Sequence, residues 1–362
     1  MTLSVHIRHR FGTFDLDVAF DAGPGITALF GQSGAGKTTI INAVAGLFAP
    51  DAGHVTLNGH PLFDSTAKAF VVPAARRFGY VFQDARLFPH LNVRENLTFG
   101  TRYAPASAKG ASLDDVTDLL GLSALLNRMP ATLSGGEKQR AAIGRALLAK
   151  PQMLLMDEPL ASLDGPRKQE ILPYLERLRD GDLRLPILYV SHAVDEIARL
   201  ADTLVLLKDG RVQAHGPLYD VMADPAAVPL LGVREAGAVI EAEVLTHATD
   251  GLTHLRSSGG DLHLPGVQAQ PGTKVRLRVL AQDVMLSVNK PEGLSAVNVM
   301  PVIIQDVHQG DGPGAAIALR AGDDRLLARV TRRAVAELGL TTGMRCYAIL
   351  KATSVAPGSI GR

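Results

Sequence analysis

The 362-residue sequence predicts an α/β unit over residues 1–230, built on a parallel sheet flanked by helices, followed by a β-rich tail. Three observations lead there. Strand-length apolar runs alternate with helical-period segments as far as Pro229. Beyond it, short β-rich pieces are punctuated by glycine and proline. The tail also repeats itself: Gly272, Ala281 and Val284 recur 71 positions later as Gly343, Ala352 and Val355, and Lys274 recurs as Arg345.

In chain order, Ile26 to Phe30 is a short apolar strand entering a glycine loop. Thr38 to Leu47 then carries Ile40, Ile41, Val44 and Leu47 at helical spacing. Glu137 to Lys150 has the same period, with Ile143, Ala146 and Leu147 on one face, and Pro151 ends it. Met153 to Met156 and Pro186 to Val190 read as buried strands. In the tail, Lys274 to Leu280 and Tyr347 to Leu350 read as strands and Arg332 to Leu340 as a short helix. The repeat makes two similar small β-barrels the economical reading, one over 231–292 and one over 293–357.

Composition narrows the function classes. Hydrophobic residues make up 46% and charged residues 20%, ordinary for a chain with a real core. Lys plus Arg (37) nearly cancels Asp plus Glu (36), so no global field favours nucleic acid or anionic lipid. Cys346 is the only cysteine, which excludes an internal disulfide and suits a reducing compartment. No stretch approaches the ~20 apolar residues of a membrane-spanning helix. His6, Arg8, His9, Arg10 and Asp15 stand where a secretory signal needs an apolar run. The expectation is a soluble, unexported chain that something else holds at any membrane it serves.

The chemistry begins at Gly31-Gln32-Ser33-Gly34-Ala35-Gly36-Lys37-Thr38-Thr39, which fits G-x-x-x-x-G-K-[ST]. A triphosphate needs many donors at close range. Gly34 and Gly36 let backbone wrap the phosphate oxygens, and the following helix points its free N–H groups at the anion. Lys37 supplies a full charge for the β/γ-phosphates, and the Thr38 hydroxyl is placed to ligate Mg²⁺. Downstream, the strand ending in Asp157-Glu158 delivers two carboxylates. Asp157 would hold Mg²⁺ through water, and Glu158 is the natural base or orienter for an attacking water.

With these motifs the first ~230 residues resemble the nucleotide-binding subunits of ATP-binding cassette (ABC) transporters, which are P-loop ATPases. The resemblance implies roles for further residues. Leu133-Ser134-Gly135-Gly136-Glu137 would cap the γ-phosphate bound by the opposite protomer, with Glu137 where many relatives carry Gln. Gln83 would sense Mg²⁺ and the transport subunit. Asp164, in Ser162-Leu163-Asp164, would communicate across a homodimer, and His192 would touch the γ-phosphate. Phe11, or Phe14 as the second choice, would stack on adenine. Arg86 to Leu97 would line the groove that receives a short helix from a membrane partner.

Residues from about Ser295 to Val355 resemble the small OB-like molybdate-binding domain of molybdate uptake ATPases and molybdate-responsive regulators. A tetrahedral oxyanion wants hydroxyls, backbone N–H groups and a cation, which Ser295, Lys351 and Thr353 offer. Val297 departs from the arginine common at that position, so a barrel kept for dimer contact alone stays open. The resemblance implies an ATP- and Mg²⁺-dependent homodimer at the cytoplasmic face of the cell membrane. It would work with two permease subunits and a solute-binding protein to import molybdate, and would not act on nucleic acid. The alternatives are the same engine for tungstate, sulfate, thiosulfate or ferric iron, or a tail that senses the anion.

Overall fold

The computed structural model describes residues 2–105, 108, 110–181, 185–310 and 312–361. It divides into two compact units, one of residues 1–193 with 200–215, the other of 194–199 with 216–362. The second therefore begins before the expected boundary at 230.

The first unit opens with β1 (Leu3–Phe11), β2 (Phe14–Ala22), β3 (Ile26–Gly31), α1 (Lys37–Ala45), β4 (Ala52–Leu57), β5 (His60–Asp64), β6 (Ala69–Phe70), α2 (Pro73–Arg76) and β7 (Phe78–Val81). It continues through α3 (Val93–Thr98), α4 (Leu113–Leu120), α5 (Gly135–Leu148), β8 (Met153–Asp157), α6 (Gly165–Asp180), β9 (Ile187–Ser191), β10 (Thr203–Lys208) and most of β11 (Arg211–Pro217), while α7 (Val194–Leu200), between β9 and β10 in the chain, belongs to the second unit in all but its last residue. One eleven-stranded sheet runs β6-β5-β4-β1-β2-β11-β10-β3-β9-β8-β7.

The expected parallel sheet is one end of it: β10, β3, β9, β8 and β7 pair in parallel. The expected alternation from residue 1 is corrected, because β1, β2, β4, β5 and β6 form an antiparallel arm. The reason lies in the side chains: β1 and β2 alternate buried and exposed residues over much of their length, as half-buried hairpin strands do. Within the parallel part, β3, β9 and β8 are buried on both faces. In β8, Met153 and Leu155 join the layer under α1, while Leu154 and Met156 join the layer under α5 and α6.

The second unit continues with α8 (Leu218–Met222), α9 (Val228–Leu231), β12 (Gly237–His247), β13 (Leu252–Ser257), β14 (Gly260–Pro265), β15 (Lys274–Leu280), β16 (Val284–Ser287), β17 (Asn298–Gln309), β18 (Gly314–Ala321), β19 (Asp324–Thr331), α10 (Arg332–Leu338), β20 (Arg345–Leu350) and β21 (Ile360–Gly361). Two five-stranded sheets result, β14-β13-β12-β15-β21 and β16-β20-β17-β18-β19, over one continuous apolar cluster. The repeat is structural. Gly272 and Gly343 both sit at positive φ (83° and 85°) before β15 and β20, and both donate at 2.8 Å to bulged carbonyls, those of Val244 and Ile304. The closing strands are exchanged across the expected division at 292/293: β16 pairs with β20 of the second sheet, and β21 with β15 of the first.

Candidate functional site

Parallel pairing brings three strand ends to one edge of the sheet, since Phe30 stands opposite Ser191 and Val190 opposite Asp157. β3 leads into the glycine loop, β8 into Asp157 and Glu158, and β9 into His192. Ligands of open α/β sheets bind outside such carboxyl ends. A recess of about 320 Å³ lies there, lined by Phe11, Phe14, Ser33, Gly34, Gly36, Lys37, Thr38, Thr39 and Glu158.

Gly36 is the N-cap of α1 at φ 97°, and a Cβ there would stand 2.8 Å from Leu16 and 3.3 Å from the Phe14 ring. Only glycine turns the chain into the helix at this point. Lys37 is buried, and its ammonium donates to the carbonyls of Gly31 (2.7 Å) and Gln32 (3.2 Å). Burial holds its pKa below the usual lysine range, against the pull of Glu158 and Asp157. The Ala35 amide closes the loop on the Gln32 carbonyl at 3.1 Å.

The Thr38 hydroxyl donates to Asp157 Oδ1 at 3.2 Å. Burial raises the Asp157 pKa, and the Thr38 bond opposes the rise. These hard oxygen donors suit Mg²⁺, which takes one or two protein oxygens and completes its shell with phosphate and water. Among the described residues no cluster of three or more His, Cys, Asp or Glu could hold a metal alone.

Glu158 occupies a left-handed backbone conformation, φ 46°, which a non-glycine residue adopts at a cost of order 1–3 kcal/mol. Its amide donates to Val190 at 3.0 Å, and its carboxylate stands 3.9 Å from the Lys37 ammonium and 3.2 Å from His192 Nδ1. Strand β9 thus fixes the turn that aims this carboxylate between a cation and an imidazole.

Two neighbours escaped the sequence reading. Tyr80, on β7, donates its hydroxyl to Asn42 Oδ1 at 2.9 Å and lies 3.4 Å from Asp157 Oδ2. Its pKa is raised, first by burial and then by Asp157. Asn42 stands one helical turn after Thr38 on α1, a spacing that could have placed it beside the Thr38–Asp157 pair.

Gln83, Ser134, Gly135, Gly136 and Asp164 do not line the recess of their own chain. Gln83 is exposed on the loop after β7. Ser134 caps α5: its amide donates to Glu137 Oε2 at 2.7 Å, and its hydroxyl accepts from the Glu137 amide at 3.3 Å. This reciprocal capping box gives Glu137 a local reason to be acidic and lowers its pKa. Gly135 and Gly136 form the first turn of that helix. Asp164 caps α6, accepting from the Arg167 amide at 3.0 Å. Phe11 is 46% exposed, edge-on to His9 at 4.1 Å, while Phe14 packs inward beside Gly36.

In the tail, Asn298 opposite Leu350 puts the Ser295 segment and the turn of Lys351 and Thr353 at one end of the second sheet. All three of those side chains are exposed, as is Val297. Cys346 is buried and unpaired, and burial pushes its thiol pKa up.

The ABC transporter family profile matches residues 15–161, and the TOBE domain profile matches residues 294–357. The chain is 49% identical over 359 residues to the molybdenum import ATP-binding protein ModC of Paramagnetospirillum magneticum, covering 99% of each chain. It is 48% identical over 358 residues to the ModC of Rhizobium johnstonii, covering 98% of this chain and 99% of that one. Among solved structures, cbiO1 from Clostridium perfringens, part of the ABC transporter complex cbiONQ, matches 61% of this chain and 90% of its own, with TM-score 0.53 and 25% identity. Near-half identity sustained from end to end, through both the phosphate loop and the tail, leads to one conclusion: the chain belongs to the molybdenum import ATP-binding protein (ModC) family of ABC transporter ATPases.

Proposed function

We propose that the protein is the ATP-hydrolysing subunit that energises molybdate import across the cell membrane. The observation that carries the reading is the convergence of Lys37, Thr38, Asp157, Glu158 and His192 at one sheet edge, in a chain whose near-full-length relatives are named for molybdenum import.

In this reading the glycine loop from Gly31 to Thr39 binds ATP, with adenine against Phe11. Thr38 and Asp157 would hold Mg²⁺, with Gln83 as its sensor, and the ion would supply countercharge for the phosphates. Glu158 accepts a proton from the water whose oxygen attacks the γ-phosphorus, while the bond to the ADP oxygen breaks. His192 fixes the carboxylate and meets the γ-phosphate, and Lys37 balances the charge on the leaving side. The Ser134-Gly135-Gly136 turn lies outside its own recess, which supports its use by a second copy, with Asp164 relaying between sites. Two ATP molecules sit at the homodimer interface, which closes on binding and opens after hydrolysis.

Two permease subunits convert that closure into alternating access, and a solute-binding protein delivers the anion. Among the described residues no helix is long and apolar enough to cross a membrane, which supports peripheral attachment to the permease at its cytoplasmic face. Ser295, Lys351 and Thr353 bind the oxyanion between two tails; the shared strand end of their segments supports this.

The test is transport by the complex reconstituted in vesicles with its permease and binding protein. Molybdate uptake should require ATP and stop in the Glu158→Gln variant. Equal or greater stimulation of ATPase by sulfate or ferric iron would refute the cargo assignment.

A further inference from the structure

The internal duplication of the tail permits a residue-by-residue comparison of its two sheets. Across the outer face of the first sheet, Lys274 stands opposite Glu243, Glu243 opposite Arg256, and Arg256 opposite Asp261. Directly opposed residues share a face, so this row alternates in charge. Its salt bridges are made: Lys274 to neighbouring Glu241 at 2.7 Å, and Arg256 to Asp261 at 2.9 Å. The equivalent row of the second sheet is Arg345, Ile303, Arg320 and Arg325, paired in the same order. Cations stand at both positions that hold them in the first sheet, with isoleucine in the place of Glu243 and arginine in the place of Asp261. Pro301 occupies the place of Glu241.

Arg325 finds Asp220 at 3.1 Å. Among the described residues Arg320 and Arg345 have no carboxylate within ion-pair distance. Ordinary strand spacing sets their Cα atoms about 10 Å apart, with Ile303 between them. Both line an open recess of about 570 Å³, together with Val288, Pro301, Ile303 and Tyr347. Isolated surface arginines need no explanation. Two guanidinium forks flanking one aliphatic residue, with an aromatic ring alongside and no acid in the row, form a receptor for a dianion.

The geometry points to a second ligand site in the tail: Arg320 and Arg345 clamp the dianionic head of a small organic anion, a phosphate monoester or a dicarboxylate. Its apolar body lies on Pro301, Ile303 and Tyr347. The site is distinct from the oxyanion residues. It is centred on the Ile303–Arg345 pair, five positions along β17 from the Asn298–Leu350 pair, about 17 Å at strand rise. It stands whether or not the cargo is molybdate.

The test is calorimetric titration of the full-length protein, kept saturated with MgADP to occupy the phosphate loop. The probes are phenyl phosphate and phthalate, with inorganic phosphate and molybdate alongside. One or both organic dianions should bind once per chain and more tightly than inorganic phosphate. That binding should weaken at least about tenfold in Arg320→Gln and in Arg345→Gln, the loss expected for a charge-assisted pair. Arg325→Gln should change it less than about twofold, and thermal melting should show all three variants folded. Absence of binding by both organic dianions, or binding indifferent to both arginine changes, would overturn the site. Equal affinity for inorganic and phenyl phosphate would overturn the role given to Tyr347 and its apolar neighbours.

Discussion

The nucleotide-binding unit and the β-rich tail both carry positive charge, and they hold it differently. In the first unit the important polar groups are buried and tied to backbone. Lys37 rests on two loop carbonyls, Arg76 on four carbonyls, and Asn96 on the loop from Phe88 to Asn92. In the tail most charges stand on open strand faces and pair across strands or with solvent. Buried Arg278, bound to Glu235, is an exception. The contrast shows where precision is needed: phosphoryl transfer demands groups fixed before ATP arrives, whereas anion recognition on a sheet face tolerates mobile side chains.

If that contrast is sound, changes in the first unit should have large effects and changes in the tail small ones. The largest belongs to Glu158→Gln, which should retain ATP binding while turnover falls about 10²–10⁴-fold, measured by phosphate release. Turnover near wild type would remove its role as base and with it the meaning given to its left-handed backbone.

Next comes Arg76→Met. The guanidinium lies at the C-terminal end of α1, donating to Ala43 and Val44 (2.9 and 2.7 Å) and to Val71 and Leu62 (2.8 and 3.1 Å). Burial pushes its pKa down to about 10, so it remains charged at neutral pH. Orphaning those carbonyls should cost about 3 kcal/mol in urea unfolding. Asn96→Ala should cost about 2 kcal/mol, because its amide satisfies backbone groups of Phe88, Leu91 and Asn92. A loss as small as that of a surface residue in either variant would break the comparison.

The smallest effect is expected in the tail. Arg256 first, then His254, hold the Asp261 pKa down to about 2. A carboxyl depressed in the folded state stabilises above its unfolded pKa, near 4, and that contribution is lost as pH falls through the folded value. Stability of Asp261→Asn relative to wild type should be constant above about pH 4 and converge with it towards pH 2. A difference that persists at pH 2 would mean that packing, and not charge, is responsible.

What the sequence disclosed follows the same division. The phosphate loop, the Asp157-Glu158 strand end and the helix after Ser134 were legible because each is a local pattern with one chemical use. Strand β8 could be read as buried from four apolar residues alone, although not that they divide between two layers. Tyr80 and Asn42 were missed because nothing local marks a residue whose role is to stand behind Asp157. The positive φ of Glu158 was hidden for a similar reason, since it is imposed by the Val190 carbonyl on another strand. The antiparallel arm was less legible: β1 alternates in Leu3, Val5 and Ile7, but alternation marks a half-buried strand without naming the strand it pairs with or the sense of the pairing. The tail repeat was found from Gly272 and Gly343, two positions that a turn requires. The strand exchange was not, because a pairing partner about 60 residues away for β16 and about 85 for β21 leaves no mark within either strand.

The account rests on a nucleotide site completed by a second copy of the chain, and mixing tests it most directly. Lys37→Ala cannot hold ATP productively but still offers its Ser134 turn; Ser134→Arg binds ATP but cannot cap its neighbour's. Each alone should be nearly inactive. Coexpressed, they should form mixed dimers with one intact composite site and recover measurable ATP hydrolysis. A mixture no more active than the sum of the two separate variants would contradict the shared site.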